Sequence, residues 1–282
     1  MKRILVCTDG SSYGIEACRY AAWLSRRRKD AQVTALYVSD LRQFEIPVVG
    51  DLSGSLGVQP YQGISSHLHE VEKQRASQIE AQTRDLFEAE ALRVTPRFMH
   101  HTGLVVDTIS EIEAEFDVVL IGKRGENANF DKEHLGSMME RIIRATQKPT
   151  FVTNRAFRDI KKLIFAYDGG PSCRKALEFL ERSPSFRGLD LHVVSVAERG
   201  DNEALRDGLI EAEQRFRAAG YAPTCQMLTG EPETAIATYV IEKQMDLLLM
   251  GAYGHSRIRY LLIGSTTTEM IRRCLIPVMT FR

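Results

Sequence analysis

The stretch of the chain best suited to chemistry is "MGAYGHSRIRYLLIGSTTTEM", Met250 to Met270, which combines three glycines with a cluster of Ser and Thr. A hydrophobic run typical of a strand ends where it starts, and a helical pattern begins around Ser265. The first N–H groups of a helix lack intrahelical acceptors and carry partial positive charge. The N–H groups of Gly264, Ser265 and Thr266 would therefore favour an anion such as phosphate.

Two more glycines and two cationic side chains strengthen this interpretation. Gly251 and Gly254 would let the backbone approach a phosphate closely, and His255 and Arg257 could add positive charge. A structural interpretation also exists, because Gly251 can end a strand and Ser265 can cap a helix without any ligand. The stretch contains neither the GK[ST] of a P-loop nor the GxGxxG of a dinucleotide fold. These residues alone leave phosphate binding and plain capping open.

The elements that must position this loop follow from an internal repeat. "KRILVCTDGS" from Lys2 resembles "KKLIFAYDGG" from Lys161, and "DVVLIGKRG" from Asp117 resembles "DLLLMGAYG" from Asp246. The offset between the copies falls from 158 at Val38 to 127 at Gly103, so copy one carries about 31 extra residues. We expect domains at 1–157 and 158–282, with the insertion at about 41–75.

Each copy alternates apolar runs with helical patterns. In copy two the helices are expected at 172–182, 203–219, 233–243 and 265–274, and a polar helix is expected at 67–91 in copy one. Short Val/Ile/Leu runs joined by helices indicate parallel strands buried on both faces. The predicted fold is two tandem doubly wound, Rossmann-like α/β domains, each with a five-stranded parallel sheet. Ligands of such sheets bind at the carboxyl ends of the strands, near a topological switch point.

Several motifs together carry a family resemblance. Gly251, two residues, Gly254, nine residues, Gly264 and Ser265 match the G-2x-G-9x-G-[S/T] signature of the ATP-binding universal stress protein family. "LLIGSTTTEMIRRCLIPVM" resembles that family's last helix and last strand, and "CTDGSSYGIEA" and "YDGGPSCRKAL" resemble its first strand and helix. Both copies are covered, so the chain resembles a tandem universal stress protein.

The resemblance implies a site for ATP or ADP, with or without Mg, in copy two. By resemblance, Asp168 contacts the adenosine part of the nucleotide and backbone groups of Val196 contact the adenine edge. The residues expected around ribose and phosphates lie in the glycine loop and the following helix: Gly251, Gly254, His255, Gly264, Ser265 and Thr266. From the residues themselves, Asp168 in "DGG" can equally be a turn former.

Copy one departs from the signature. Its corresponding residues are Asp9, Val38, Gly122, Gly125, Gly136 and Ser137. Ten residues rather than nine separate Gly125 from Gly136, and this interval brings three acidic residues, Glu126, Asp131 and Glu133. Like charges would oppose a phosphate, although Lys123, Arg124 and Lys132 offset them. We expect copy two to be the main nucleotide site and copy one to be weak or structural.

The composition argues against several classes of partner and site. Lys plus Arg (37) balances Asp plus Glu (37), so no global positive field favours nucleic acid or a membrane surface. The apolar run at the N-terminus ends at Cys7, too short for a signal peptide or a membrane span, which predicts a cytoplasmic protein. The five cysteines are scattered without a CxxC pair, which indicates buried reduced thiols rather than disulfides or structural zinc.

Other candidate groups give weaker signals. The pairs His67/His69 and His100/His101 lack a third ligand at a metal-site spacing, so no metal site is expected. Glu111 and Glu113 are expected on solvated helical faces, and nothing marks them as an acid–base couple.

The resulting hypothesis is a cytoplasmic stress-response protein that binds ATP or ADP as a sensor or regulator, with at most slow hydrolysis. By resemblance, the strands near Thr150–Thr153 and Val278–Phe281 pair within the chain as a pseudo-dimer, and two chains associate as a homodimer. One alternative is an enzyme of the adenine nucleotide alpha-hydrolase group, such as an ATP pyrophosphatase, although its SGGxDS loop is replaced by "TDGSSY" and "YDGGPS". Another is a tandem scaffold that binds no nucleotide.

Overall fold

The structure is a computed structural model, which describes residues 1–40, 61–125, 137–198, 202–252 and 265–282. The strands are β1 (Arg3–Cys7), β2 (Gln32–Ser39), β3 (Arg97–Thr102), β4 (Val118–Gly122), β5 (Thr150–Thr153), β6 (Lys162–Ala166), β7 (Asp190–Ala197), β8 (Thr224–Thr229), β9 (Leu247–Gly251) and β10 (Val278–Phe281). The α-helices are α1 (Ser12–Arg26), α2 (Tyr61–Ala89), α3 (Val105–Ile112), α4 (Ser137–Ala145), α5 (Pro171–Arg182), α6 (Glu203–Ala218), α7 (Pro232–Glu242) and α8 (Ser265–Arg273).

The strands form one continuous sheet in the order β3-β2-β1-β4-β5-β10-β9-β6-β7-β8. Within each copy all neighbouring strands are parallel, and the two five-stranded halves have the same internal order. The predicted fold class is therefore confirmed. The copies meet through β5 and β10, which pair antiparallel with Phe151 opposite Met279. This confirms the expected pairing of the last strands within the chain, and it covers an edge that each half would otherwise expose.

The central strands alternate between two hydrophobic layers, as the pleat requires. Ile4 and Val6 face one layer with α1 and α5, whereas Leu5 faces the other with α3, α4, α7 and α8. Because both faces are covered by helices, the strands contain continuous apolar runs rather than alternating ones. Helix α2 begins at Tyr61, six residues before the predicted start, and ends at Ala89, two residues before the predicted end.

Polar contacts across the junction connect each copy to the end of the other copy's last helix. The ammonium of Lys123, directly after β4, donates to the carbonyl oxygens of Arg272 and Cys274 at 3.2 Å each. The guanidinium of Arg282 donates to the carbonyl oxygen of Arg144 at the end of α4. Cations favour the carbonyl end of a helix, so these contacts stabilise the arrangement of the two copies. Burial lowers the pKa of the Lys123 ammonium.

We expect Lys123→Met to lower the free energy of unfolding by about 1 kcal/mol, because it removes the cation at the carbonyl end of α8. Urea denaturation followed by circular dichroism measures this. The matched control is Lys175→Met, since the exposed Lys175 donates one hydrogen bond, to the Arg282 carbonyl oxygen at 3.0 Å, away from any helix end. A control loss as large as that of Lys123→Met would contradict the capping role.

Candidate functional site

The candidate site of copy two lies at the carboxyl ends of β6, β7 and β9. Strand β6 pairs with β7 on one side and with β9 on the other. The strand order therefore reverses at β6, which makes the gap between β6 and β9 a topological switch point. Asp168 follows β6 by two residues, Val196 lies near the end of β7, and Gly251 is the last residue of β9. Because parallel strands end at one edge, the fold brings these three predicted residues to the switch point where open α/β sheets bind ligands.

Asp168 forms a tight turn between β6 and α5. Its Oδ1 accepts a hydrogen bond from the backbone N–H of Gly170 at 2.7 Å, and Gly169 has a positive φ of 74°. A side chain is disfavoured at that φ, and Pro171 then starts α5 with the φ that a first turn needs. The turn-forming interpretation of Asp168 is thus realised, and its contact with a nucleotide stays a prediction.

The close packing of β9 against α5 requires a glycine at position 251. A Cβ at this position would lie 2.9 Å from the Cys173 Sγ and 3.0 Å from the Cys173 backbone nitrogen. The hydroxyl of Ser172 also donates to the Ala252 carbonyl oxygen at 2.9 Å, which fixes the end of β9 against the start of α5. Close packing therefore accounts for this glycine, whatever ligand the loop binds.

The backbone of Val196 borders the crevice. The register of β7 with β6 ends at Val194, whereas its register with β8 continues to Ala197. The hydroxyl of Ser195 donates to the Tyr167 carbonyl oxygen at 2.7 Å and so ties β7 to the loop after β6. The contact of the Val196 backbone with a nucleotide stays a prediction.

Of the remaining predicted residues of copy two, only some lie within the described ranges. Gly254, His255 and Gly264 lie outside the described residues, as does Arg257. Ser265 and Thr266 are the first two residues of α8, so a helix does begin where the glycine signature predicts one.

In copy one the predicted residues occupy the corresponding places. The Oδ1 of Asp9 accepts from the Ser11 N–H at 3.0 Å, and a Cβ on Gly125 would lie 2.8 Å from the Asp9 Oδ2. The loop after β4 therefore lies directly against the Asp9 carboxylate. Gly122 ends β4 and Val38 pairs with His101 in the register of β2 and β3. Ser137 begins α4, and Gly136 lies outside the described residues.

The two copies differ in what covers the loop after the first strand. Gly10 has a positive φ of 77°, and a Cβ there would lie 3.0 Å from the Cγ1 of Ile79 on α2. The equivalent Gly169 would meet nothing within 4 Å among the described residues. At the offset of 129, Ile79 corresponds to Gly208, which removes the covering side chain in copy two. Sequence reasoning missed Ile79, because the repeat pairs it with Gly208 but does not show which loop its side chain contacts.

A polar contact holds α2 over copy one. The Tyr37 hydroxyl donates to the Glu72 carboxylate at 3.0 Å in a buried position, and the Tyr37 ring stacks on His100 with centroids 5.4 Å apart. Burial, reinforced by Glu72, raises the pKa of Tyr37 to about 12. Tyr37 therefore stays a neutral donor at physiological pH, and His100 has a packing role.

The described residues give little support for a nucleophilic cysteine or for a metal site. Burial raises the pKa of Cys7, Cys18 and Cys173 to about 12, so these thiols are poor nucleophiles at neutral pH. No cluster of three or more His, Cys, Asp or Glu residues that could hold a metal occurs in the described ranges. Within the same ranges, no helix is long and apolar enough to span a membrane.

The expected position of Glu113 on a solvated face is wrong. Its side chain is buried and accepts hydrogen bonds from the Thr146 hydroxyl and from the Gln147 N–H at 3.0 Å. The carboxylate thus stabilises the chain after α4, whereas Glu111 is exposed as expected.

Comparisons with known proteins agree with this architecture. The sequence model of the Universal stress protein family matches residues 1–154 and again 159–282. A universal stress protein of Synechocystis sp. is 39% identical over 289 residues, covering 100% of both chains. The crystal structure of a universal stress protein from Archaeoglobus fulgidus superimposes with a TM-score of 0.71 at 21% identity, covering 99% of this chain and 96% of that one. A further solved universal stress protein, crystallised in complex with cAMP, covers 44% of this chain and is itself 98% covered, with 24% identity and a TM-score of 0.37.

Proposed function

This chain belongs to the universal stress protein family, and from that premise we propose that it binds ATP or ADP, mainly in copy two. It acts in the cytoplasm as a nucleotide-dependent sensor or regulator of the stress response, with at most slow hydrolysis. The observation that carries the assignment to copy two is at Gly169, where an added Cβ would meet nothing within 4 Å among the described residues, whereas copy one has Ile79 over the equivalent Gly10.

The residues present in copy two fit an adenine nucleotide. The Asp168 carboxylate, held in its turn by the Gly170 N–H, would accept from a ribose hydroxyl, and the backbone at the end of β7 would contact a base edge. The first N–H groups of α8 lack intrahelical acceptors and would favour a phosphate. When bound, the nucleotide would supply the negative charge that this helix end favours.

Binding without rapid turnover is the chemistry that these groups favour. A general base needs a group able to accept a proton within hydrogen-bond reach of an attacking water. In the described part of copy two, the carboxylate at the switch point, Asp168, is the group proposed to hold the ribose rather than a water, and the nearby Cys173 thiol is buried and protonated. A regulator that changes state with the bound nucleotide is consistent with this arrangement.

Isothermal titration calorimetry of the full chain with ATP tests the proposal. We expect Asp168→Ala to weaken ATP binding about tenfold or more, because a hydrogen bond to a charged group contributes about 1.5–3 kcal/mol. Asp9→Ala is the matched control, since Asp9 forms the equivalent turn in copy one, and it should change the affinity less than about twofold.

A second variant separates the two roles of the Asp168 side chain, which are to form the turn and to carry a negative charge. Asp168→Asn keeps the acceptor for the Gly170 N–H while removing the carboxylate, so it should fold normally and still weaken ATP binding. Absence of binding by the unaltered chain, or an equal loss in Asp9→Ala, would refute the assignment to copy two. Mass spectrometry of the denatured purified protein identifies any ATP or ADP that co-purifies.

A further inference from the structure

A cleft of about 920 Å³ lies between the two copies. It forms because β5 and β10 run antiparallel, so the carboxyl end of β5 meets the amino ends of β9 and β10. Copy one contributes Tyr13 from α1 and the loop after β4, copy two contributes residues next to β9 and β10, and the linker between the copies forms the rim. Among the described residues, none from the candidate nucleotide site of copy two lines it.

The lining of this cleft is strongly positive, although the chain as a whole has no net charge. Five of its residues are cationic: Lys123, Arg124, Arg155, Arg158 and Arg272. Asp246 is the one carboxylate among the described lining residues, which leaves an excess of four positive charges. The Oδ2 of Asp246 accepts from the N–H groups of Lys161 and Lys162 at 2.9 Å each, so this carboxylate is engaged with the backbone.

The cationic side chains are held in place from both copies. Lys123 uses two donors for the carbonyl oxygens that end α8, and an ammonium has three. Arg272 pairs with Glu269 of its own helix at 3.4 Å. Each is thus fixed on one wall of the cleft by contacts that do not depend on a ligand.

The linker that carries the other two arginines is anchored on α1. The Tyr20 hydroxyl accepts from the Arg158 N–H at 3.1 Å, and the Glu16 carboxylate accepts from the Phe157 N–H at 2.6 Å. These backbone contacts place Arg155 and Arg158 at the rim, where both side chains are exposed. Cations that line one cleft repel one another, so a bound anion would relieve the repulsion.

We propose that this cleft binds a small phosphorylated anion between the two copies. Arginine guanidinium groups match phosphate oxygens with paired hydrogen bonds, and a fixed ammonium adds a point charge. The volume lies within the range of small-molecule sites. Lys123 and Arg124 lie between Gly122 and Gly125 of the weaker candidate site of copy one, whereas Arg155, Arg158 and Arg272 belong to the linker and to α8. The inference therefore does not depend on the proposed nucleotide site of copy two.

Titration of the full chain with inorganic pyrophosphate, followed by isothermal calorimetry in the presence of saturating ATP, tests this inference. The double variant Arg155→Gln/Arg158→Gln should weaken pyrophosphate binding at least tenfold. The control Arg93→Gln/Arg182→Gln removes the same total charge from two exposed arginines that do not line the cleft, and it should change the affinity less than twofold.

Three outcomes would overturn the inference. The first is that pyrophosphate does not bind the unaltered chain once ATP is saturating, which would assign any binding to the nucleotide sites. The second is that both double variants lose affinity equally, which would indicate a general charge effect. The third is that neither variant changes the affinity. Failure of ATP binding itself would refute the proposed function and leave this test intact, since pyrophosphate is then titrated without competition.

Discussion

Replacing Phe151 with alanine is expected to lower the free energy of unfolding by about 3–5 kcal/mol. Phe151 is fully buried on β5, directly opposite Met279 of β10, and its ring lies 5.6 Å from that of Tyr20. It belongs to the hydrophobic layer that contains residues of both copies. Truncation would therefore leave a cavity at the junction, where neither copy can close it alone.

Two probes in one urea titration measure this effect. The single Trp of the chain, Trp23, lies in copy one and donates to the Asp159 carboxylate of the linker at 2.8 Å, so its fluorescence reports on copy one. Far-ultraviolet circular dichroism reports on both copies. Because the altered side chain packs against both halves, we expect the two transitions to shift together.

The matched control for this prediction is Phe157→Ala. Phe157 contacts the same Tyr20 ring, with centroids 4.8 Å apart, but it is only half-buried and lies in the linker. We expect a loss of about 1 kcal/mol, because less apolar surface returns to water. Comparable losses for the two variants would mean that Phe151 has no special role in joining the copies.

Gly251→Ala is expected to lower the free energy of unfolding by about 1–3 kcal/mol. The added Cβ would lie within 3.0 Å of two Cys173 atoms, one of them in the backbone of α5, so a helix rather than a flexible side chain must move. Displacement of α5 would also disturb the Asp168 turn that precedes it. We therefore expect weaker ATP binding in the same variant, measured by calorimetry beside chemical denaturation.

Gly208→Ala gives the opposite expectation for the same chemical change. Gly208 lies inside α6, and among the described residues its Cβ would meet Tyr167 alone, at 3.4 Å, an ordinary contact. Alanine should raise the free energy of unfolding by up to about 1 kcal/mol, because glycine is unfavourable in a helix interior. If both variants changed stability in the same direction, close packing would not explain the glycine at the end of β9.

Much of the fold could be predicted from local patterns. The repeat of "TDGS" and "YDGG" predicted two equivalent halves, and the apolar runs predicted parallel strands covered on both faces. These predictions succeed because burial on two faces requires an unbroken apolar run, whatever the partner. The glycine signature likewise predicted where α8 begins, since helix starts depend on neighbouring residues.

Residues with two compatible roles were harder to interpret. Gly251 was proposed as a phosphate neighbour, and the structure gives it a packing role against Cys173. Glu113 was expected in solvent, because its position on a short helix gives no sign that the chain after α4 folds over it. One residue type satisfies several environments, and only the neighbours distinguish them.

The sequence by itself determined the doubled α/β architecture, the order of its elements and the sheet edge at which the candidate site residues lie, because these depend on periodicity and on short-range turn chemistry. Only the tertiary structure decided that Ile79 covers the loop at Gly10 and that five cations line one cleft between the copies. Both features bring together residues that are distant in the chain. Their contacts depend on how helices and copies pack, which no local pattern encodes.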